Sequence, residues 1–438
     1  MTSTMIRRSL TAAVALAVLG AFAPLAPLPS AKAAPSVGPL SPASADEVTD
    51  WHEHMLVALI TAGINPIVST RDAALVSTAV FDAVNGIERR YEPIHVAAEA
   101  PRGASKRAAA VQAAYVILVT RFPAQAAGLL AKRTASLAAI ADGGKSLELG
   151  VEWGQGVAEA ILEWRSTDGF TSSPPAYLGG SDPGEWRPTP PAGAPGLLPQ
   201  WATMAPWGIL AADQFRPSGP PALDSDQYAE EFNEVKSMGS LTSTLRTAEQ
   251  TDFCKFWQTS TPTFLWNRVA LDLIADTDNE LSDNAHLLAT MNLAIADSII
   301  GCWDAKYHYE FWRPVTAIRL ADTDSNDDTT VDTSWTPLLV TPPFPEHTSG
   351  HSSASSAAAA VLADFFGNDT SFTVKSHTNL SWTRAFSSFS SAVDEVADAR
   401  VFAGIHFRTA CDVGAAASND VAAYIMENLM GRIHGKGK

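Results

Sequence analysis

Cysteine is scarce in this chain. Its 438 residues include three cysteines, Cys254, Cys302 and Cys411, so at most one disulfide can form within the chain. An apolar content of 46% over this length is ample for a large hydrophobic core, so the fold does not need disulfides for stability. We therefore interpret all three cysteines as small buried apolar residues.

Positive charge is also in short supply. There are 30 Lys and Arg residues against 47 Asp and Glu residues, which gives a formal net charge of −17. An acidic chain is repelled by nucleic acid and by anionic membrane surfaces, so neither is an expected partner. Any anion-binding site must depend on a local cluster of basic residues within an acidic surface.

Long apolar runs are confined to the N-terminus. Arg7 and Arg8, an apolar stretch over 10–23 and the Ala31-Lys32-Ala33 segment have the layout of a cleaved secretory signal, residues 1–33. Beyond it no run of 18 apolar residues occurs, which predicts a secreted, extracellular protein without a membrane span. The Arg7-Arg8 pair leaves a twin-arginine export route open, although the Ser-Leu-Thr that follows matches that signal poorly.

Helical periodicity dominates the rest of the chain and strand signals are sparse, which predicts an all-α fold of two packed helical bundles. In the N-terminal bundle, 50–165, we predict helices over 71–92, 105–120, 124–141 and 145–165. A segment rich in Pro, Gly and Trp, 166–225, is predicted to be a long ordered loop that covers one face of the core. In the C-terminal bundle, 226–435, we predict helices over 226–237, 247–259, 282–312, 348–366, 387–404 and 408–432.

Three short segments of the C-terminal bundle carry most of the chemistry. Lys306 and Arg313 are seven residues apart, so on one helix they would lie two turns apart on nearly the same face. Ser349-Gly350-His351 precedes an Ala- and Ser-rich run that reads as a helix start, where free backbone N–H groups favour an anion. Arg400 and His406 close the set with a third cation and an imidazole. Together these residues predict a site for a tetrahedral oxyanion.

Each of these residues also has an ordinary explanation when it is taken alone. A single Lys or Arg is usually solvated or salt-bridged, Ser-Gly-His is common turn chemistry, and a lone histidine is usually a satisfied core residue. The ordered combination of Lys-x6-Arg-Pro, Ser-Gly-His and Arg-x5-His within about a hundred residues is what favours a functional site.

This ordered set resembles the motif shared by vanadium-dependent haloperoxidases and the type 2 phosphatidic acid phosphatase superfamily. The segment 69–85 is also similar to the N-terminal helical part of bacterial members, so the resemblance covers roughly 50–432. It implies that His406 coordinates vanadate and that His351 acts as acid and base. It further implies that the oxygens are bound by Lys306, Arg313, Ser349, Gly350 and Arg400. Phosphate could occupy the same site.

The resemblance also assigns residues around this set. Trp303, Pro342 and Phe344 match positions that line the halide side in chloroperoxidase-type members, although ordinary core packing explains Trp303 and Phe344 equally well. The carboxylate expected four residues after the histidine is replaced by Ala410, which leaves Asp412 as the candidate for orienting His406. His347, four residues before His351, is a second supporting candidate. Ala399 departs from the Ser that often precedes the arginine.

Two chemistries remain open for one pocket, because vanadate and phosphate are nearly identical oxyanions. A haloperoxidase would use hydrogen peroxide and halide to halogenate a small organic substrate. A secreted acid phosphatase would instead form a phosphohistidine at His406 while His351 protonates the leaving alcohol. A protein that binds an anion without turnover is a third possibility, which the presence of both histidines disfavours. A homodimer is a plausible assembly.

Overall fold

The computed structural model of the protein describes residues 46–433; the predicted secretory signal lies outside them. Within this range the regular structure is thirteen α-helices and one antiparallel hairpin, which pairs β1 (Phe372–Lys375) with β2 (Thr383–Phe386). The predicted all-α fold is confirmed, and the hairpin is a small addition that the sequence did not signal. All three cysteines are buried and unpaired, as we expected.

The first five helices correspond to the predicted N-terminal bundle. Their bounds are α1 Glu47–Ala62, α2 Pro66–Glu88, α3 Lys106–Arg121, α4 Ala126–Ala139 and α5 Gly144–Trp164. Helix α1 was not predicted. Its N-cap residue is Asp46, whose carboxylate accepts hydrogen bonds from the backbone N–H groups of Val48 and Thr49 and so fixes where the helix starts.

Eight further helices correspond to the predicted C-terminal bundle. Their bounds are α6 Asp226–Met238, α7 Ala248–Thr259, α8 Pro262–Ile274, α9 Leu281–Tyr309, α10 Pro314–Arg319, α11 Gly350–Phe366, α12 Phe389–Phe402 and α13 Arg408–Asn428. Helices α8 and α10 were not predicted. The prediction that one helix carries Lys306 and Arg313 was wrong, because α9 ends at Tyr309, where Glu310 turns into the left-handed region at φ 50°. Arg313 instead precedes α10 as its N-cap residue.

Helix α9 is the centre of the fold. It packs against α2 from the N-terminal set and against α11 and α13 from the C-terminal set, so both predicted bundles share one core. Among the described helices, α9 is the one long and apolar enough to cross a membrane by itself, and α3 with the bent continuation to Ala139 passes the same test as a pair. In α9, 89% of the apolar window is buried inside the protein, as expected of a helix that is apolar all round.

Residues 168–225 contain one short 3-10 turn, Pro199–Thr203, and no α-helix. This segment is attached to α9 by buried polar contacts. The Asp297 carboxylate, fully buried in α9, accepts hydrogen bonds from the backbone N–H groups of Trp207, Gly208 and Ile209 at 2.7–3.0 Å. The Leu197 carbonyl accepts from the Trp303 indole and the Tyr307 hydroxyl of the same helix.

Candidate active site

A cavity of about 220 Å³ lies where the three predicted motifs meet. His351 from the first turn of α11, Arg400 from the end of α12 and His406 from the turn before α13 line it. Trp303, Pro342, Phe344 and Gly350 line it as well. Lys306, Arg313 and Ser349 are fully buried. The structure thus brings the predicted motifs together although they come from α9, α11, α12 and the turns before α10 and α13.

Lys306 is a fully buried cation of the site. Its ammonium donates to the carbonyls of Pro345 and Glu346 at 2.9 and 3.0 Å, and to the carbonyl of Thr348. Burial lowers the pKa of Lys306 to about 7, and the nearby Arg313 charge acts in the same direction. Because neutral carbonyls, and not a carboxylate, accept the hydrogen bonds of Lys306, a bound anion would stabilise its positive charge.

Arg313 is held by backbone carbonyls in the same way. Its Nε donates to Phe344 O at 2.9 Å and its Nη1 donates to Ile405 O at 2.7 Å. Its Nη2 is buried without a hydrogen-bond partner within the described residues. Burial lowers the pKa of Arg313 to about 10, so the guanidinium stays charged with one donor edge unused.

Arg400 is the third buried cation. Its Nη1 donates to the amide oxygen of Gln258 at 3.1 Å, while its Nε has no hydrogen-bond partner in this part of the chain. Burial lowers its pKa to about 10 as well. A neutral amide in place of a carboxylate leaves the whole charge of Arg400 available to the cavity.

The start of α11 adds neutral donors. Ser349 is the N-cap residue, and its hydroxyl accepts from the Ser352 backbone N–H at 3.4 Å and from the Ser352 hydroxyl at 3.0 Å. Gly350 and His351 occupy the first helical positions, whose N–H groups have no acceptor within the helix. A Cβ at Gly350 would meet the Trp303 ring at 3.5 Å, an ordinary contact, so the glycine is not needed for space.

His406 has a defined tautomer. Its Nδ1 lies 2.8 Å from Glu346 Oε1, and its Nε2 lies 3.2 Å from Arg313 Nη1. Because the guanidinium can only donate, Nε2 must be the acceptor and Nδ1 must carry the proton. Burial and the Arg313 charge lower the pKa of His406 well below its usual value. The ring is therefore a neutral imidazole with a lone pair on Nε2.

Glu346 orients His406, and the prediction that Asp412 does so was wrong. Asp412 is exposed on α13 and lines a surface groove between α11, α12 and α13. Glu346 is buried, and its Oε1 also accepts from the Phe407 N–H at 2.9 Å. Burial raises the pKa of Glu346 to about 7, while Arg313 and Lys306 hold it down. Spacing around His406 could not identify a residue sixty positions earlier.

The two other histidines have different surroundings. His351 is hydrogen-bonded to the backbone of Trp257, and its pKa is lowered well below the usual value by burial and by Arg400. His347 lies outside α11, where its Nε2 is 2.9 Å from the Ser218 carbonyl and its ring packs edge-on against Tyr309. His347 therefore contacts the covering segment and not His351.

The predicted halide side is an aromatic wall. The Trp303 and Phe344 ring centroids are 5.0 Å apart. Lys306 Nζ lies 5.0 Å from the Phe344 centroid, and the Arg313 guanidinium carbon lies 4.9 Å from it. The Phe344 ring thus contacts Trp303 on one side and lies close to two cations, so this part of the cavity combines low polarity with positive charge.

These residues fit a tetrahedral oxyanion. Three buried cations face one carboxylate, Glu346, and two guanidinium donors are unused. Unpaired buried donors are costly, and an anion with several acceptor oxygens would remove that cost. Within residues 46–433 no group of three or more His, Cys, Asp or Glu side chains is arranged to hold a metal ion.

Sequence reasoning missed the part of the cavity that comes from outside the three motifs. These residues are Asn65, Pro66, Ile67, Thr70, Leu197, Gln258, Pro262 and Thr263. They lie at the α1–α2 turn, in the covering segment and at the α7–α8 junction. The only local signal was Thr261-Pro262, a typical helix start, which marks a helix boundary and not a function.

The C-terminal part of the chain matches a known protein family. The family model described as the VCPO second helical-bundle domain matches residues 286–435. Vanadium chloroperoxidase of Curvularia inaequalis is 27% identical over 176 residues, which cover 34% of this chain and 29% of that protein. The match thus spans less than a third of the curated relative.

Solved structures extend the likeness to most of the chain. A crystal structure described as that of the first bacterial vanadium-dependent iodoperoxidase has a TM-score of 0.77 and 27% identity, covering 89% of this chain and 98% of that one. A holo-type bacterial vanadium-dependent chloroperoxidase has a TM-score of 0.67 at 19% identity, covering 83% and 92%, which shows a common fold. With His351, Arg400 and His406 lining one cavity, these likenesses identify the chain as a member of the vanadium-dependent haloperoxidase family.

Proposed function

We propose that the protein is a vanadate-dependent haloperoxidase, which oxidises halide with hydrogen peroxide to a hypohalous-acid equivalent that halogenates organic compounds. The observation that carries this proposal is the surplus of buried positive charge beside the unprotonated Nε2 of His406. Such a site binds a tetrahedral oxyanion through one nitrogen and several charge-assisted hydrogen bonds. The relatives named above are described as vanadium haloperoxidases.

Each residue then has a defined task. His406 presents Nε2 to the vanadium, while Lys306, Arg313 and Arg400 neutralise the oxygens. The Ser349 hydroxyl and the Gly350 N–H donate further hydrogen bonds. Vanadate bound there supplies a Lewis-acidic vanadium(V) centre that makes hydrogen peroxide able to oxidise halide. The surrounding cations strengthen that effect by withdrawing electron density.

His351 is the proton carrier in this proposal. It lines the cavity as a neutral imidazole whose ring is held by the Trp257 backbone. A neutral imidazole can take a proton from incoming peroxide and return it to a departing oxygen. Trp303, Pro342 and Phe344 exclude water from the halide side and present low-polarity surface to a weakly hydrated anion.

The substrates of this reaction would be hydrogen peroxide, halide and a small organic compound. Residues 1–33 have the layout of an export signal, so we propose that the reaction takes place outside the cell. The −20 net charge left after removal of Arg7, Arg8 and Lys32 is consistent with a small anionic cofactor held by local charge alone.

The first experiment measures halogenation by the purified protein. Iodide, bromide and chloride are each supplied with hydrogen peroxide and an activated dye, with and without orthovanadate, beside a phosphate-ester hydrolysis assay. We expect vanadate-dependent halogenation that is lost in His406→Ala, because that variant removes the nitrogen that binds vanadium. Activity with chloride would support the chloroperoxidase-like role of Phe344.

Two variants compare a residue of the site with a residue outside it. His351→Ala should lower turnover by about 10²–10⁴-fold and affect vanadate affinity less, whereas Asp412→Ala should change neither. Ester hydrolysis that vanadate inhibits, without halogenation, would make the protein a phosphatase built on the same pocket. Full activity in His406→Ala would overturn the site assignment itself.

A further inference from the structure

The outer half of the active-site cavity is built from elements that carry none of the oxyanion residues. Pro66 and Ile67 from the start of α2, Leu197 from the covering segment and Pro262 from the start of α8 line it. Pro66 is exposed and Ile67 and Leu197 are half-buried, whereas Arg400 and His406 are buried. The cavity therefore runs from an apolar rim to a cationic floor.

This outer wall is fixed by hydrogen bonds and is not a gap between loosely packed helices. The Asn65 side chain accepts from the Ile67 N–H at 2.9 Å and caps α2. The Ser69 hydroxyl lies 2.6 Å from the Pro66 carbonyl and 3.1 Å from the Thr263 hydroxyl, which joins α2 to α8. Leu197 N–H donates to Pro343 O at 2.8 Å. Small-molecule binding sites are usually pre-formed in this way.

The lining chemistry favours a neutral or electron-rich ring. No Asp or Glu side chain lines the cavity, and most of its lining residues are Pro, aliphatic or aromatic. Asn65, Thr70, Gln258 and Thr263 add neutral hydrogen-bonding groups that could receive one hydroxyl. This combination of apolar surface and a few polar groups is typical of a small-molecule site.

The volume limits the size of the ligand. The cavity holds about 220 Å³, whereas an engineered apolar cavity of ~150 Å³ is known to hold benzene. Four oxyanion oxygens, at the ~30 Å³ share of a liquid water each, would take about 120 Å³ at the floor. The remaining ~100 Å³ is less than the ~150 Å³ cavity that holds benzene, so one aromatic ring fits only if part of it extends through the open rim, and a large polycyclic compound is excluded.

We propose that this outer half binds a single-ring phenol next to the oxidant, so that halogenation occurs inside the cavity. The proposal rests on the proposed haloperoxidase function. Overall, a ring C–H, hydrogen peroxide, one halide ion and one proton give a ring C–halogen bond and two waters. The halide is oxidised by two electrons and the peroxide is reduced by two. The proton lost from the ring ends in water.

A binding experiment tests the site without turnover. Phenol is titrated into the full mature protein loaded with inorganic phosphate, and binding is followed by calorimetry. We expect saturable binding that weakens at least tenfold in Ile67→Trp, because the indole would fill the rim. Leu210→Trp is the matched control, since Leu210 is 81% exposed and does not line this cavity; it should bind phenol like the wild type. Absence of saturable binding up to the solubility limit would overturn the proposal.

A product analysis then tests where halogenation occurs. With bromide, vanadate and peroxide, we expect an ortho-to-para product ratio from phenol that differs from the ratio given by hypobromous acid in buffer. Ile67→Trp should move the ratio toward that of the free reagent, and Leu210→Trp should not. Halogenation with the free-reagent ratio in the wild type would refute the phenol site and leave the haloperoxidase function intact. Phenol binding without any halogenation would contradict the proposed function instead.

Discussion

Two neighbours together decide which nitrogen of His406 carries its proton. Arg313 can only donate, so it faces the lone pair of Nε2, while Glu346 can accept the Nδ1 proton. Partners of this kind fix the orientation of a ligating histidine and raise its basicity. The family pattern places a carboxylate after the histidine in sequence. In this chain Ala410 stands there, and the carboxylate that contacts His406 is that of Glu346, before α11.

Replacing Glu346 therefore tests the positioning of His406. We expect Glu346→Ala to weaken orthovanadate binding by about 10–100-fold, because the Nδ1 proton would lose its acceptor. Glu346→Gln keeps one acceptor oxygen and should recover part of the affinity. Calorimetry with vanadate measures both effects, and thermal unfolding checks that the variants fold. If Asp412→Ala lost as much vanadate affinity as Glu346→Ala, the contact between Glu346 and His406 would not be what positions His406.

At the scale of helices and loops, local signals predicted interiors better than ends and connections. The range 226–237 agrees closely with α6, since Ser225 and the apolar spacing are both local. Helix α9 was predicted to run to 312, just before Pro314, yet it ends at Tyr309, ahead of Phe311 and Trp312. Those two rings are buried in the tertiary core, and burial of that kind leaves no helical period in the sequence.

The same distinction explains how much of the site was predictable. Lys306, Arg400 and His406 were identified because their types and order form a motif. Gln258 was not, because its contact with Arg400 crosses 142 positions of the chain. The outer cavity wall depends entirely on such contacts between distant segments, and no spacing within a segment encodes them.

The attachment of the covering segment to α9 gives a prediction at this scale. Asp297→Asn keeps one acceptor oxygen for three backbone N–H groups and places an amide N–H₂ against the others. We expect the free energy of unfolding to fall by about 2–3 kcal/mol, since each buried donor left unsatisfied costs about 1–3 kcal/mol. Residues 168–225 should also become more sensitive to limited proteolysis. Asp213→Asn, at an exposed carboxylate 3.8 Å from Arg216, should change neither measurement.

At the scale of the whole molecule, the helices that form the outer cavity wall are joined by one buried polar network. His52 of α1, Ser77 of α2, Asn267 of α8 and Asn292 of α9 are each fully buried. His52 Nε2 contacts the Ser77 hydroxyl at 2.9 Å, and the two Asn amides exchange hydrogen bonds at 2.8 and 2.9 Å. Asn267 also donates to the Thr263 carbonyl at 2.8 Å, so the network reaches the cavity lining.

This network makes the fold sensitive to acid. Burial lowers the pKa of His52 from 6.5 to about 4. As pH falls between these values the unfolded chain binds a proton that the folded chain does not, so stability is lost as pH falls. The loss from His52 approaches about 3 kcal/mol at pH 4, and urea unfolding measured from pH 7 to pH 4 should show it. His52→Gln should lower this slope by the share of one histidine and not abolish it, since the pKa values of His54, His286 and His347 are also lowered to about 4. His95→Gln, at an exposed histidine, should retain the full slope. An unchanged slope in His52→Gln would mean that the pKa of His52 is not lowered in the folded protein.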